Sequence, residues 1–241
     1  AEQAFQLADK LDRGMFERWR EVQILAGLEV IRDPQASPWR QRQFLEEVRQ
    51  TFPHYAWLGL TDAKGTILTA TGGLLEGQDV AQREWFQGGS QGPFLGDVHE
   101  AFLLAKLLPP SVGSPLRLVD VATPVHSPAG EFLGVLCSHL SWSWAREVRD
   151  SLLRPEEERA NLSIYILGRG GAELLGPERD QAVWPPELLE RLRQAAQPGR
   201  LHQFLAFQDP AGVEHLAGAA ICAGHRDYPG LGWLVVVRQS L

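Results

Sequence analysis

Cysteine, methionine and tyrosine are scarce in this chain, at 2, 1 and 3 among 241 residues. The two cysteines, Cys137 and Cys222, lie far apart in apolar, strand-like segments. That count excludes a disulfide framework and predicts two buried free thiols. Long hydrophobic runs are missing as well: nothing approaches the roughly 20 apolar residues of a transmembrane helix, and no signal peptide stands at the start. The abrupt helical opening is what a domain excised from a longer protein would show. Basic clusters are absent too. With a net charge of -7, the chain lacks the concentrated Lys and Arg that phosphate backbones or anionic lipids require, so no nucleic-acid partner is expected. Arginine far outnumbers lysine and proline is common, a composition that points to a GC-rich or heat-adapted source. What is present is an apolar fraction of 44%, enough for one large or two small domains with real cores.

From about Ala4 to Ile31, Phe5, Leu7, Leu11, Met15, Trp19, Val22, Leu25, Ala26 and Val30 recur at helical intervals. The spacing predicts one amphipathic helix of about 40 Å, weakened at Gly14 and Gly27 and ended by Asp33-Pro34. A helix of that length is suited to spanning two domains or pairing with a copy of itself. A second helix is predicted over Pro38–Thr51, capped by Ser37, with Trp39, Phe44, Leu45 and Val48 as its buried stripe. Hairpins follow at Tyr55–Thr71, around Asp62-Ala63-Lys64-Gly65, and at Arg117–Leu140, around Ser127-Pro128-Ala129-Gly130. Ala101–Leu108 reads as helix or extended chain, stopped by Pro109-Pro110, and Ser141 caps a helix reaching about Leu153. Charged residues Arg154–Arg159 form a link. The second half repeats the order in shorter form: a hairpin from Ser163 to Leu175, a helix from Pro186 to Ala196, a hairpin from His202 to Cys222 and a final strand from Trp233 to Arg238. An α+β architecture follows, with antiparallel sheets flanked by helices and two such units on one long helix.

Gly77–Phe86, between the hairpins of the first half, is the stretch with chemistry. Arg83 stands two residues before Trp85 and three before Phe86 in a segment that reads as a turn. A guanidinium offers planar charged donors for a carboxylate, and aromatic walls exclude water from the contact.

The long opening helix, Leu58-Gly59-Leu60-Thr61-Asp62-Ala63-Lys64-Gly65, Gly77-Gln78-Asp79 leading into Arg83-Glu84-Trp85-Phe86, Ala122-Thr123-Pro124-Val125 and Gly130-Glu131-Phe132-Leu133-Gly134-Val135-Leu136 together give the chain a resemblance. It resembles the double Cache family of extracytoplasmic sensor domains found in bacterial chemoreceptors, histidine kinases and diguanylate cyclases. The resemblance implies two PAS-like modules: the two helices over 1–54, a membrane-distal, ligand-binding module over 55–153 and a membrane-proximal module over 154–241. It also implies a periplasmic domain tethered to the cell membrane, a homodimer through the long helix and no cofactor. In amino-acid-binding members an Arg-x-Trp-Tyr motif holds the ligand carboxylate. Arg83 and Trp85 match it and Phe86 replaces the tyrosine; Gln78 and Phe94 stand where the family has tyrosines, and Asp97 follows one residue later than usual. His139 occupies the position of the amine-binding aspartate. Trp57 and Asp120, on the strands beginning at Tyr55 and Arg117, complete the expected ligand-binding set. Because an imidazole is no counter-ion for an ammonium group, a small organic acid is favoured over a free amino acid, gripped by Arg83 with His139 donating a hydrogen bond.

Other constellations point elsewhere. Cys137 and His139 share a strand face, and His99 completes a conceivable metal set, but without a recognised ligand spacing burial in the core is favoured. Ser138-His139 lacks a nucleophile elbow, Gly168-Arg169-Gly170-Gly171 precedes a strand rather than a phosphate-binding helix, and Asn161-Leu162-Ser163 is a common triplet. A sensor of small molecules leads, a ligand-free module that senses a protein partner or membrane stress is the alternative, and an enzyme is the weakest reading.

Overall fold

A computed structural model describes residues 1–108, 115–152, 162–177, 182–197 and 204–241. The link at Arg154–Arg159, the Pro109-Pro110 stop, Asn161 and the start of the hairpin at His202 lie outside the described residues. The first helix, α1 (Glu2–Ala26), stops five residues short of the expected end, and a single turn, α2 (Glu29–Arg32), follows it. Leu28 between them is extended, at φ -75 and ψ 143. Gly27 costs about 1 kcal/mol relative to alanine inside a helix, which is enough to place the break there, whereas Gly14 is carried through. Along α1, Ala4, Leu7, Leu11, Met15 and Val22 are fully buried; Phe5, a member of the periodic set, is 45% exposed. No described helix is long and apolar enough to cross a membrane.

α3 (Pro38–Thr51) starts as its sequence requires: the Ser37 hydroxyl accepts from the Arg40 amide at 3.3 Å, and Pro38 occupies the first turn. Its buried positions are Gln41, Leu45 and Val48, spaced by four and three. Trp39 lies two residues before that stripe and so turns to the opposite side, 69% exposed, and Phe44 is half-buried at the stripe's edge.

Two five-stranded antiparallel sheets follow. The first contains β1 (Tyr55–Thr61), β2 (Ile67–Ala70), β3 (Phe94–Glu100), β4 (Arg117–His126) and β5 (Phe132–Ser141), in the order β2-β1-β5-β4-β3. The second contains β6 (Leu162–Leu167), β7 (Glu173–Leu175), β8 (Phe204–Gln208), β9 (Glu214–Ile221) and β10 (Leu234–Ser240), in the order β7-β6-β10-β9-β8. Position for position the order is the same, so the chain is a structural repeat. The Pro-Ala-Gly turns are equivalent: Ser127 Oγ accepts from the amides of Ala129 and Glu131, and Asp209 Oδ1 from those of Ala211 and Val213. Gly130 and Gly212 close these turns at φ 87 and 83, values glycine adopts without a Cβ clash.

By internal contacts, residues 17–144 form one compact unit, and residues 1–16 with 145–241 form the other. In the first-sheet unit, α3 packs on β1 and β2, while α4 (Glu84–Gln91) packs on β3, β4 and β5. The face toward α4 has a core of Trp57, Ile67, Val80, Trp85, Phe86, Ala122, Val135 and Cys137. In the second-sheet unit, α6 (Pro186–Ala195) covers β9 with Leu188 and Leu192 in a core shared with Tyr165, Leu167, Leu234 and Val236. α5 (Ser143–Asp150) follows β5 directly.

Candidate ligand-binding site

Register places the site's side chains on one face of the first sheet. Trp57 pairs with His139 across β1 and β5, and His139 pairs with Asp120 across β5 and β4. Leu118, Asp120 and Ala122 alternate onto that face from β4, as Val135, Cys137 and His139 do from β5. The chain from Gly77 to Arg83 is sewn to the first hairpin: the Val80 amide donates to the Gly65 carbonyl at 2.8 Å, the Ile67 amide to the Gln78 carbonyl at 3.0 Å, and Asp79 Oδ1 accepts from the Ala81 amide at 2.9 Å. Arg83 is the residue immediately before α4, with extended backbone, and its carbonyl accepts from the amides of Phe86 and Gln87. Trp85 and Phe86 therefore sit in the first turn of a helix, where the sequence reads as a turn. The reason is a helix of poor formers, with Gly88 and Gly89 in its middle.

A cavity of about 650 Å³ opens between this loop, the start of α4, β3 and the sheet face. Of the expected set, Trp57, Arg83, Trp85, Phe94, Asp97, Asp120 and His139 all line it. Phe86 does not: it is 8% exposed and packs edge-on against Trp85, ring centroids 6.2 Å apart. Gln78, the counterpart of a family tyrosine, also lines the cavity. From the largest contribution, the continuous run Gly96–Leu104, sequence reasoning named only Asp97 as a ligand-binding residue. β3 supplies most of it, and an edge strand of Gly, Asp, His and Glu lacks the alternation by which strands are recognised.

At the cavity floor His139 Nδ1 donates to Asp120 Oδ1 at 2.5 Å. The imidazole is stacked on Trp57 (4.9 Å, 27°) and meets Trp85 edge-on at 6.0 Å. His99 approaches the same Asp120 oxygen through Nε2 at 3.7 Å, and its Nδ1 is 3.1 Å from the Asp97 carbonyl. Burial pushes the Asp120 carboxyl up, but the charge and hydrogen bond of His139, with His99 and Arg83 behind them, outweigh it and hold Asp120 below the usual carboxylate range. The Cys137 thiol, wholly buried next to this group, is pushed up by desolvation and by the Asp120 charge, and so stays protonated. Arg83 is exposed at the cavity wall, and its guanidinium makes no hydrogen bond or ion pair with the described residues. Among those residues no group of three or more His, Cys, Asp or Glu is arranged to hold a metal ion. The site thus presents an accessible guanidinium, two imidazoles, an ionised carboxylate already engaged by one of them, and aromatic walls.

No family model matches the sequence, and no curated protein matches it. Solved structures do match. An extracellular ligand-binding receptor from Desulfohalobium retbaense DSM5692 aligns over 98% of this chain at 15% identity and a TM-score of 0.64; the chain spans only 39% of that receptor. The extracellular domain of the putative histidine kinase rpHK1S-Z16 aligns over 99% of this chain and 91% of its own at 14% identity, with a TM-score of 0.69. The ligand-binding domain of the Pseudomonas aeruginosa PAO1 amino-acid chemoreceptor PctC, in complex with GABA, aligns over 99% and 96% at 20% identity, with a TM-score of 0.68. The chain therefore has the fold of the extracellular ligand-binding domains of chemoreceptors and histidine kinases, the fold that its resemblance to the double Cache sensors implies.

Proposed function

We propose that this chain is the extracytoplasmic, membrane-tethered sensor domain of a receptor, and that its first-sheet unit binds a small carboxylate-bearing molecule beside Arg83. One observation carries the reading: a cavity of about 650 Å³ whose wall holds a guanidinium with no partner among the described residues, next to Trp57, Trp85 and Phe94. Such a volume suits a small organic ligand, and Arg83 is the group to orient its carboxylate. A ligand-free module would fill this space with side chains, so the open cavity counts against that alternative. PctC, a neighbour in fold, is in complex with GABA, which carries a carboxylate of the class proposed.

An organic acid is favoured over a free amino acid. His139 stands at the position of the family's amine-binding aspartate, and Asp120, the carboxylate beside it, is engaged by His139 at 2.5 Å. Binding without turnover is proposed, since the buried Cys137 thiol stays protonated and the floor groups are paired with each other. The signal would pass along α1 to a dimer partner, ligand favouring one of two helix packings by its differential affinity.

A thermal-shift screen of carboxylates, amino acids, amines, purines and sugars tests the class. Ligand at a hundred times its dissociation constant adds about 2.7 kcal/mol of stability, a clear shift in Tm. Stabilisation by carboxylates supports the reading; stabilisation by amines or sugars alone, or by nothing in the panel, contradicts it.

A further inference from the structure

The cavity poses an electrostatic problem for the ligand class just proposed, on which this inference rests. Five carboxylates line it, from Asp79, Glu84, Asp97, Glu100 and Asp120, against the single guanidinium of Arg83. A further anion entering there meets like charge in a partly enclosed space, where screening is weaker than in bulk water. Either the ligand brings a positive group with it or the cavity takes up a proton.

The geometry around His99 favours the proton. Its Nδ1 faces the Asp97 carbonyl at 3.1 Å, and its Nε2 faces Asp120 Oδ1 at 3.7 Å. The Nδ1 contact is within hydrogen-bond reach, whereas at 3.7 Å the Nε2 approach is an ion-pair contact, which only the charged imidazolium makes attractive. The side chain is 45% exposed, open both to solvent and to whatever occupies the cavity. Of the other titratable and charged groups packed around it, Asp120 stays ionised because its carboxyl is held low, and the Cys137 thiol stays protonated because burial pushes it up. His139 is covered by Trp57 and Trp85, with Nδ1 already committed to Asp120. Glu100 stands opposite Arg117 in the β3–β4 register, and Asp97 and Glu84 lie toward the solvent.

We propose that His99 is a specificity-determining residue of this site, coupling the binding of a carboxylate at Arg83 to the uptake of a proton, so that anion binding tightens as the pH falls. The protonated ring holds Asp120 on the His99 side and lowers the negative potential that an incoming carboxylate meets. It also lessens the attraction between Asp120 and Arg83, which line the same cavity.

Acetate and succinate are the probes. Each is titrated at pH 6.0 and 8.0 into wild-type protein, His99→Gln and Arg83→Ala, with binding followed by the indole N–H signals of Trp57 and Trp85 in NMR spectra. Uptake of up to one proton over these two pH units caps the change at about a hundredfold, and a Kd for wild type about five- to a hundredfold lower at pH 6.0 than at pH 8.0 is the expected result. His99→Gln, which keeps a donor toward the same acceptors, should still bind but with the ratio reduced below about twofold. An undiminished pH ratio in His99→Gln, or equal Kd values for wild type at both pH values, overturns the proton coupling and leaves the Arg83 clamp standing. No saturable shift with either probe at either pH overturns the clamp itself, and this inference with it.

Discussion

Asp12 gives the sharpest quantitative prediction. It lies on α1 within the second-sheet unit, 6% exposed, with Oδ2 accepting from the Gly224 amide at 2.8 Å and Oδ1 without a partner among the described residues. Burial pushes its carboxyl up to about 6, and Asp9 adds to the rise; the Gly224 and Ala223 amides act against it but do not win. From an ordinary value of 3.8 this is about two pH units, a ceiling of about 3 kcal/mol that solvent screening reduces to about 1–2 kcal/mol. For a raised carboxyl, the stabilisation is complete below 3.8 and is lost as the pH rises to about 6, after which the curve is flat. Asp12→Asn keeps an acceptor for Gly224 and deletes the charge. The variant should match wild type at pH 4 and exceed it by about 1–2 kcal/mol at pH 8, equivalent to roughly 2–8 °C in Tm for a chain of this size. Chemical unfolding of both proteins at unit steps from pH 4 to 8 reads this difference directly. Parallel pH profiles, or a variant less stable at pH 8, would refute the reasoning and mean that the ionised carboxylate is compensated in the folded state.

Two further substitutions probe the first-sheet unit. A Cβ at Gly88 would clash with the ring of Phe94, so Gly88→Ala should push that ring toward the cavity it lines. Overpacking of this kind costs about 1–3 kcal/mol, and the variant should also lose affinity for any ligand that wild type binds; unchanged affinity would place the ligand away from Phe94. Asp120→Asn removes the charged acceptor of a buried hydrogen bond and should cost about 1.5–3 kcal/mol at neutral pH. Because Asp120 is held below 3.8, that difference should persist above this pH and shrink as the pH falls through the depressed value. A gap that instead widens in acid would reverse the assignment of the charged partner.

The hairpins were legible because their turns carry their own chemistry: a side-chain oxygen at the first position and glycine at the fourth, as in Ser127-Pro128-Ala129-Gly130. The cap of α3 was legible for the same reason, in Ser37 and Pro38. Local signals run out where a partner decides. β3 pairs on one side only and consists of residues poor in strand propensity, so nothing in its own sequence marks it. Trp39 is apolar yet exposed, since periodicity counts a residue without knowing what covers it. The central contact of the site was hidden in a bulge. Register counted from the turn, where His126 pairs with Phe132, would set Asp120 opposite Ser138; an irregularity between Val125 and His126 moves it to His139. Asp120 and His139 could each be named as site residues, but their hydrogen bond could not. Arg83 and Trp85 fell within reach of sequence reading because they match the Arg-x-Trp motif that the resemblance carries; that the guanidinium has no partner among the described residues shows only in the fold.

The account's central claim is that Arg83 anchors a carboxylate ligand, and titration calorimetry of Arg83→Ala against wild type tests it most directly. The titrant is the carboxylate that gives the largest thermal shift, and the unliganded Tm of each protein serves as the check on folding. The account predicts saturable binding to wild type and at least a hundredfold weaker binding to the variant, with unliganded Tm values within a few degrees, because loss of a charge-assisted, partly desolvated contact costs about 3 kcal/mol. Near-wild-type affinity in the variant would contradict it.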